Sequence, residues 1–159
     1  MDSEFFTFQK YKNSEIRKNK LTPSMEDYLE MIYRLYKDNN NIRINTLSQQ
    51  LNVRMSSTTK IVQRLAKMGY VVYVKYGNIK LTEQGKKTGQ FLLHRHLTIE
   101  KFLSFFVDDK NVFKDTEIIE HYISNELLEN IEKLNNFFID NPAILRKFYD
   151  YRKNLSKNL

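Results

Sequence analysis

The chain has 159 residues and no cysteine, which rules out a disulfide scaffold and a thiolate metal site. It has no run approaching the roughly 18 apolar residues that a membrane-spanning helix requires. Its first residues lack a basic segment followed by an apolar one, so we expect no signal peptide. These absences favour a cytoplasmic protein without a membrane partner.

Motifs of several enzyme classes are also absent. The sequence has no phosphate-binding loop, no glycine-rich dinucleotide turn and no nucleophile elbow. It has no His-Glu-x-x-His pair, and Glu117 occupies the first position of what would otherwise be the inverted zinc motif, His-x-x-Glu-His. We therefore expect a protein that is not an enzyme and takes no small organic substrate.

Acidic residues are missing from one long stretch. The formal net charge is +7, yet no Asp or Glu occurs between Asn39 and Thr82. The same stretch contains seven basic residues, namely Arg43, Arg54, Lys60, Arg64, Lys67, Lys75 and Lys80. A basic, acid-free window within a folded pattern is typical of a surface that contacts nucleic-acid phosphates.

The first part of the chain has the pattern of a winged helix-turn-helix. Thr22-Pro-Ser with Glu26 predicts a helix start, and apolar residues recur behind it at helical spacing. Short helices follow at 46–51 and 56–68, and Gly69 ends the last of them. β-Branched and aromatic runs around Gly77-Asn78 predict a hairpin. Three helices and a hairpin in about 60 residues predict this DNA-binding fold.

In such a fold the helix predicted at 56–68 enters the major groove and the hairpin contacts the DNA backbone or minor groove. The candidate DNA-binding residues lie at the start of that helix, along its outward face and on the hairpin. They are Arg54, Ser56, Ser57, Thr59, Lys60, Gln63, Arg64, Lys75, Tyr76 and Lys80. The alternative for any single lysine is an ordinary solvated side chain. The partner predicted by the whole window is double-stranded DNA.

The second part of the chain is predicted to be entirely helical. A long helix begins at Thr82 with Glu83 and runs towards Phe106, and further helices begin at Thr116, Asn125 and Pro142. The fold class is therefore mostly α with a small β-hairpin. We predict an N-terminal extension at 1–21, a winged helix-turn-helix domain at 22–82, and a helical domain at 83–159 for metal binding and dimerisation.

Three separated groups of residues carry ligand chemistry for a metal. Glu117, Glu120 and His121 would share one face of a helix, since their spacing is i, i+3 and i+4. Asp27 and Glu30 are spaced by three residues, and His96 lies between the two groups in sequence. Brought together, these carboxylates and imidazoles would suit Mn²⁺ or Fe²⁺. Taken alone, each group is also explained by solvated helix faces, by Asp27 and Glu30 pairing with Arg34, or by a packed histidine.

Several of these segments resemble a known family. They are Thr22-Pro-Ser-Met-Glu-Asp-Tyr-Leu-Glu-Met-Ile-Tyr33, Ser56-Ser-Thr-Thr-Lys-Ile-Val-Gln-Arg-Leu65, Val74-Lys-Tyr-Gly77, Leu81-Thr-Glu-Gln-Gly-Lys-Lys87, Arg95-His96 and Glu117-Ile-Ile-Glu-His121. Together they are similar to the manganese transport regulators, a branch of the diphtheria-toxin-repressor-like metalloregulators. The resemblance covers about residues 22–140, so it leaves out the N-terminal extension.

The resemblance implies a Mn²⁺-activated transcriptional repressor that binds palindromic operator DNA as a homodimer and controls manganese uptake genes. It implies two Mn²⁺ per subunit, with Fe²⁺, Zn²⁺ or Cd²⁺ able to bind in vitro. The implied ligands are Asp27, Glu30, His96, Glu117, Glu120 and His121. The resemblance places the ligand at His96 rather than at His94, because His96 follows the arginine of the motif. Asp27 and Glu117 stand where the iron-responsive branch has Met and Cys, a change that favours Mn²⁺.

Three other hypotheses remain. The protein could be a winged-helix regulator that does not need a metal, or a Fe²⁺-responsive repressor. The third, from another class, is a small carboxylate-bridged metalloenzyme, which would leave the acid-free window unexplained. For the homodimer we expect a surface of apolar residues beyond the needs of a small core, made of Phe91, Leu92, Leu103, Phe106, Ile118, Leu127 and Leu128.

Overall fold

The structure is a computed structural model that describes residues 21–38, 42–73, 77–107 and 109–155. The chain divides into two compact units, and the division falls between Leu92 and Leu93. The predicted extension at 1–21 lies outside the described residues, apart from Leu21.

The first unit contains three helices and a hairpin in the predicted order. Helix α1 is Pro23–Asp38, α2 is Ile44–Gln50 and α3 is Met55–Lys67. Strands β1 (Val71–Tyr73) and β2 (Ile79–Leu81) pair antiparallel, and helix α4 (Glu83–Ser104) follows. The boundary between the two compact units falls within α4. The hairpin and the helix order predicted from the sequence are confirmed, with α2 and α3 shifted towards the N-terminus by one or two residues.

Apolar side chains from all of these elements form one core in the first unit. Leu29, Leu47, Val62, Leu65 and Ile79 are fully buried within it. Only one face of each short strand is buried, as expected for a two-stranded hairpin packed on helices. This core fixes α3 so that its opposite face remains exposed.

Helix α4 begins where the hairpin ends, and two hydroxyl-mediated contacts fix that position. The hydroxyl of Thr82 donates to the carbonyl of Gly69 at 2.7 Å and accepts from the amide of Gly85 at 3.0 Å. The predicted helix start at Thr82 is confirmed by this cap. Gly69 has a φ of +81°, the left-handed conformation expected of a glycine that ends a helix.

Two glycines in α4 allow this helix to pack closely against the rest of the first unit. A Cβ on Gly85 would lie 1.9 Å from the carbonyl oxygen of Tyr70, and one on Gly89 would lie 2.6 Å from the Cβ of Tyr33. Either substitution would therefore push α4 away from the rest of the first unit. This explains why a long helix contains two residues of low helix propensity.

We expect Gly85→Ala to lower the free energy of unfolding by about 2 kcal/mol, because the clash with main-chain atoms outweighs the roughly 1 kcal/mol gained in helix propensity. Urea unfolding followed by circular dichroism measures the change. Gln90→Ala, at an exposed position of the same helix, is the control and should unfold like the wild type. Equal stability of the two variants would show that α4 does not pack as closely as described.

The described residues of the second unit form helices joined by short connections. After the remainder of α4 come α5 (Asp109–Ile119), a 3₁₀ turn (Glu120–Tyr122), α6 (Asn125–Asp140) and α7 (Pro142–Leu155). The predicted starts at Asn125 and Pro142 are confirmed, and the hydroxyl of Ser124 caps α6 by accepting from the amide of Leu127. The predicted start at Thr116 is wrong. Helix α5 begins at Asp109, and the buried Thr116 hydroxyl donates to the carbonyl of Val112 within it.

Several aromatic rings pack against one another in the second unit. Phe105 and Phe138 meet edge to face with ring centroids 5.2 Å apart, and Phe148 of α7 lies 5.5 Å from Phe106. Arg152 lies over the ring of Phe148 and donates from its guanidinium to the carbonyls of Phe105 and Phe106, just beyond the end of α4. These contacts attach α7 to the end of α4.

The expected dimer surface is wrong in part. Leu92, Leu103 and Leu128 are at most 9% exposed and belong to the cores of their own units, so they cannot form a surface. Phe106 is partly buried and packs against the rings of Phe102 and Phe148. The remaining three residues, Phe91, Ile118 and Leu127, are exposed.

None of the described helices is both long enough and apolar enough to cross a membrane.

Candidate functional site

Two carboxylates converge on one buried imidazole in the second unit. The Nδ1 atom of His96 lies 3.0 Å from Oε2 of Glu120 and 3.5 Å from Oε1 of Glu117. His96 and Glu120 are each 1% exposed, whereas Glu117 is partly exposed. Because a carboxylate accepts, Nδ1 of His96 is the donor in this contact. A buried carboxylate that orients an imidazole in this way is typical of metal sites.

Glu120 lies between two imidazoles. Its Oε2 contacts His96, while its Oε1 is 3.8 Å from Nε2 of His121. The structure therefore brings His96, Glu117, Glu120 and His121 together in one cluster. Carboxylate oxygens and imidazole nitrogens without sulfur suit Mn²⁺ and Fe²⁺, so the donor chemistry fits a hard or borderline divalent cation.

The local backbone of this cluster differs from the prediction. Glu117 is in the last turn of α5, but Glu120 and His121 belong to the 3₁₀ turn that follows it. The three residues therefore do not share one face of a continuous α-helix, as we expected from their spacing. The side chains of Glu117 and Glu120 still meet at His96, because residues three apart also align in a 3₁₀ helix.

One residue of the cluster was missed by the sequence analysis as a functional side chain. Arg95 is 6% exposed, and its Nη2 atom lies 3.3 Å from Nδ1 of His121. A guanidinium has no acceptor, so Arg95 donates and Nδ1 of His121 accepts. The only signal in the sequence was the position of Arg95 next to His96 within the family motif.

The other two predicted ligands lie one turn apart on α1 in the first unit. Glu30 is 6% exposed, whereas Asp27 is partly buried. Arg34 donates to Oε1 of Glu30 from Nη2 at 2.7 Å and from Nε at 2.9 Å. The pairing with Arg34 that we considered as an alternative is therefore present for Glu30. A carboxylate can accept several hydrogen bonds, so the pairing with Arg34 leaves Glu30 a candidate ligand.

His94 is separate from the cluster. It is half exposed, and its Nε2 atom lies 3.5 Å from Oε2 of Glu132 on α6. This position agrees with the choice of His96 over His94 as the candidate ligand.

Candidate DNA-binding side chains cover the outer face of α3. Within the described residues, all of the candidates are exposed except Thr59, which is partly buried. The exposed ones are Arg54, Ser56, Ser57, Lys60, Gln63, Arg64 and Lys80. The hydroxyl of Thr59 donates to the carbonyl of Met55, whereas the buried Thr58 faces the core. The helix therefore presents hydroxyl, amide and basic groups on a single exposed face.

The hairpin is positioned by contacts with the segment before α2. The amide of Ile79 donates to the carbonyl of Ile42 at 2.7 Å, and Nε of Arg43 donates to the side-chain oxygen of Asn78 at 3.3 Å. The candidates Lys75 and Tyr76 lie outside the described residues.

A winged helix-turn-helix unit followed by a helical unit in which carboxylates and imidazoles converge is the arrangement expected of a metal-responsive DNA-binding regulator. The family model described as "Iron dependent repressor, N-terminal DNA binding domain" matches residues 20–79. The model described as "Iron dependent repressor, metal binding and dimerisation domain" matches residues 82–148. The chain therefore belongs to the iron dependent repressor family, and it is a transcriptional regulator rather than an enzyme.

Individual relatives agree with this assignment. The HTH-type transcriptional regulator MntR of Shouchella clausii is 43% identical over 133 residues, which are 83% of this chain and 93% of the relative. The structure of the manganese regulator SloR is similar with a TM-score of 0.65 and 26% identity, covering 74% of this chain and 55% of that one. Zn²⁺-bound ScaR is similar with a TM-score of 0.59 and 25% identity, covering 71% and 54%.

The chain thus spans about half the length of these two solved structures. The relatives confirm the predicted fold class and the resemblance to the manganese transport regulators.

Proposed function

We propose that this protein is a Mn²⁺-activated repressor that acts in the cytoplasm, where it binds palindromic operator DNA as a homodimer and controls manganese uptake genes. The observation that carries the proposal is the convergence of Glu117 and Glu120 on His96, in the part of the chain that matches a metal binding domain. SloR, the solved manganese regulator with a similar fold, supports the choice of metal.

We assign the ligands to the six residues predicted from the sequence: Asp27, Glu30, His96, Glu117, Glu120 and His121. Two Mn²⁺ per subunit is the stoichiometry that six such ligands would support. Fe²⁺, Zn²⁺ and Cd²⁺ would also bind in vitro, a proposal supported by the structures of ScaR with Zn²⁺ and with Cd²⁺. Zn²⁺ binds such ligands more tightly than Mn²⁺ does. Specificity for Mn²⁺ therefore depends on the coordination geometry of the site and on the supply of each metal ion.

A bound divalent cation would supply positive charge that offsets the negative charge of the carboxylates. Metal binding is then coupled to DNA binding through the conformation of the protein. Arg54, Ser56, Ser57, Thr59, Lys60, Gln63 and Arg64 would contact DNA from α3, with Lys75, Tyr76 and Lys80 contacting it from the hairpin. In a homodimer the two copies of α3 would enter successive major grooves about 34–36 Å apart. The exposed Ile118 and Leu127 are available for the contact between subunits.

Selection of genomic DNA fragments by the purified protein, with and without Mn²⁺, tests the proposal. We expect palindromic fragments to be enriched only with Mn²⁺, and the fluorescence anisotropy of a labelled fragment to rise during a Mn²⁺ titration. Equal enrichment without metal would instead support the metal-independent regulator. Enrichment with Fe²⁺ but not with Mn²⁺ would support the Fe²⁺-responsive repressor.

A further inference from the structure

The contact between Arg95 and His121 has a consequence for metal binding. Nη2 of Arg95 donates to Nδ1 of His121, so Nδ1 carries a lone pair and the neutral ring carries its proton on Nε2. Oε1 of Glu120 lies 3.8 Å from Nε2, and its negative charge favours a proton on that nitrogen. In this structure Arg95 therefore determines which nitrogen of His121 is protonated.

Neither nitrogen of His121 can bind a cation while this hydrogen bond exists. A cation at Nδ1 would take the lone pair that Arg95 uses. A cation at Nε2 would replace the proton there, and the neutral ring would then carry its proton on Nδ1, which could no longer accept from Arg95. Coordination by His121 and the hydrogen bond from Arg95 are therefore mutually exclusive.

Burial strengthens this competition. Arg95 is 6% exposed, and the side chain of His121 is 8% exposed. A hydrogen bond from a charged donor is stronger where water is excluded, and the buried guanidinium also repels any cation that enters nearby. Both effects oppose metal binding, and both persist until the Arg95 side chain moves away from His121.

We propose that Arg95 competes with the metal for His121. Arg95 holds His121 in a state that cannot coordinate, and this sets the metal concentration at which the repressor becomes active. This inference rests on the proposed function, because it takes His121 as a ligand. Arg95 is then a positioning residue that lowers the affinity for metal. In the metal-free protein its guanidinium supplies the positive charge next to His121.

The test is the Mn²⁺ affinity of the full-length protein, measured by isothermal titration calorimetry. We expect Arg95→Met, which keeps an apolar stem of similar length, to raise the affinity roughly tenfold. Arg95→Lys keeps the charge but loses the planar donor, so its increase should be smaller. Arg146→Met removes the same charge from an exposed position of α7 and should bind Mn²⁺ like the wild type. Unchanged or weaker binding by a folded Arg95→Met variant would overturn the inference.

A second measurement needs no variant. Long-range ¹H–¹⁵N NMR of the metal-free wild type should show the proton of His121 on Nε2, and addition of the diamagnetic Zn²⁺ should remove that tautomer. A proton on Nδ1 in the metal-free protein would overturn the inference even if every variant misfolds. Failure of the wild type to bind Mn²⁺ would overturn the proposed function instead, so the two failures are distinguishable.

Discussion

Replacing Glu120 with glutamine is expected to lower the Mn²⁺ affinity by about a hundredfold or more, and to abolish Mn²⁺-dependent DNA binding with it. Loss of a group that merely orients a ligand already costs about 10–100-fold in metal affinity, and Glu120 is proposed as a ligand itself. The substitution removes the negative charge that lies between His96 and His121. It keeps the size of the side chain and an oxygen that can accept from Nδ1 of His96, so the metal-free fold should persist.

Calorimetry with Mn²⁺ measures the loss, and circular dichroism verifies that the variant is folded. Glu129→Gln removes the same charge from an exposed position of α6 and should leave the affinity unchanged. If Glu120→Gln bound Mn²⁺ as tightly as the wild type, Glu120 would be no ligand and its contact with His96 would be structural only.

The double substitution of Lys60 and Arg64 by alanine is expected to weaken DNA binding roughly a hundredfold at constant salt, because each contact to a base or phosphate contributes about 1–3 kcal/mol. Both side chains are exposed on the outer face of α3, one turn apart, and neither packs in the core. Calorimetric Mn²⁺ binding should remain that of the wild type, since neither residue is a proposed ligand.

Anisotropy of a labelled DNA fragment, measured over a range of salt concentrations, tests this prediction and separates the two kinds of contact. A lost phosphate contact reduces the salt dependence, whereas a lost base contact changes the preferred sequence. The matched control removes Lys110 and Lys114, which are also exposed and four residues apart, but lie on α5. A similar loss of affinity in both double variants would mean that net charge, rather than α3, governs binding.

The DNA-binding half of the fold could be predicted from the sequence because its local patterns agree with one another. Thr22 and Thr82 were predicted as helix starts, and each accepts from an amide three residues later. Gly69 was predicted as a helix stop and has a positive φ. The close packing at Gly85 and Gly89 could not be predicted, because it depends on Tyr70 and Tyr33, which are distant in sequence.

The cluster of Glu117, Glu120, His121 and His96 was harder to predict, because the local sequence patterns around it are ambiguous. The hydroxyl of Thr116 looked like a helix cap, but a threonine hydroxyl can equally bond back to a carbonyl within a helix, as it does here. The spacing of Glu117 and Glu120 fits α and 3₁₀ helices alike, so it could not reveal the turn at Glu120–Tyr122. The role of Arg95 depends on a contact with His121, 26 residues away, which no local pattern encodes.

The position of Arg152 matters for anyone who wishes to shorten or tag the protein. The family match ends at residue 148, and a truncation designed from that boundary would delete the guanidinium that the carbonyls of Phe105 and Phe106 use as a donor. It would also uncover the ring of Phe148, leaving main-chain acceptors unsatisfied and an aromatic surface open to water. Poor expression of such a truncated protein would then result from the loss of these contacts. It would not be evidence about metal binding or DNA binding.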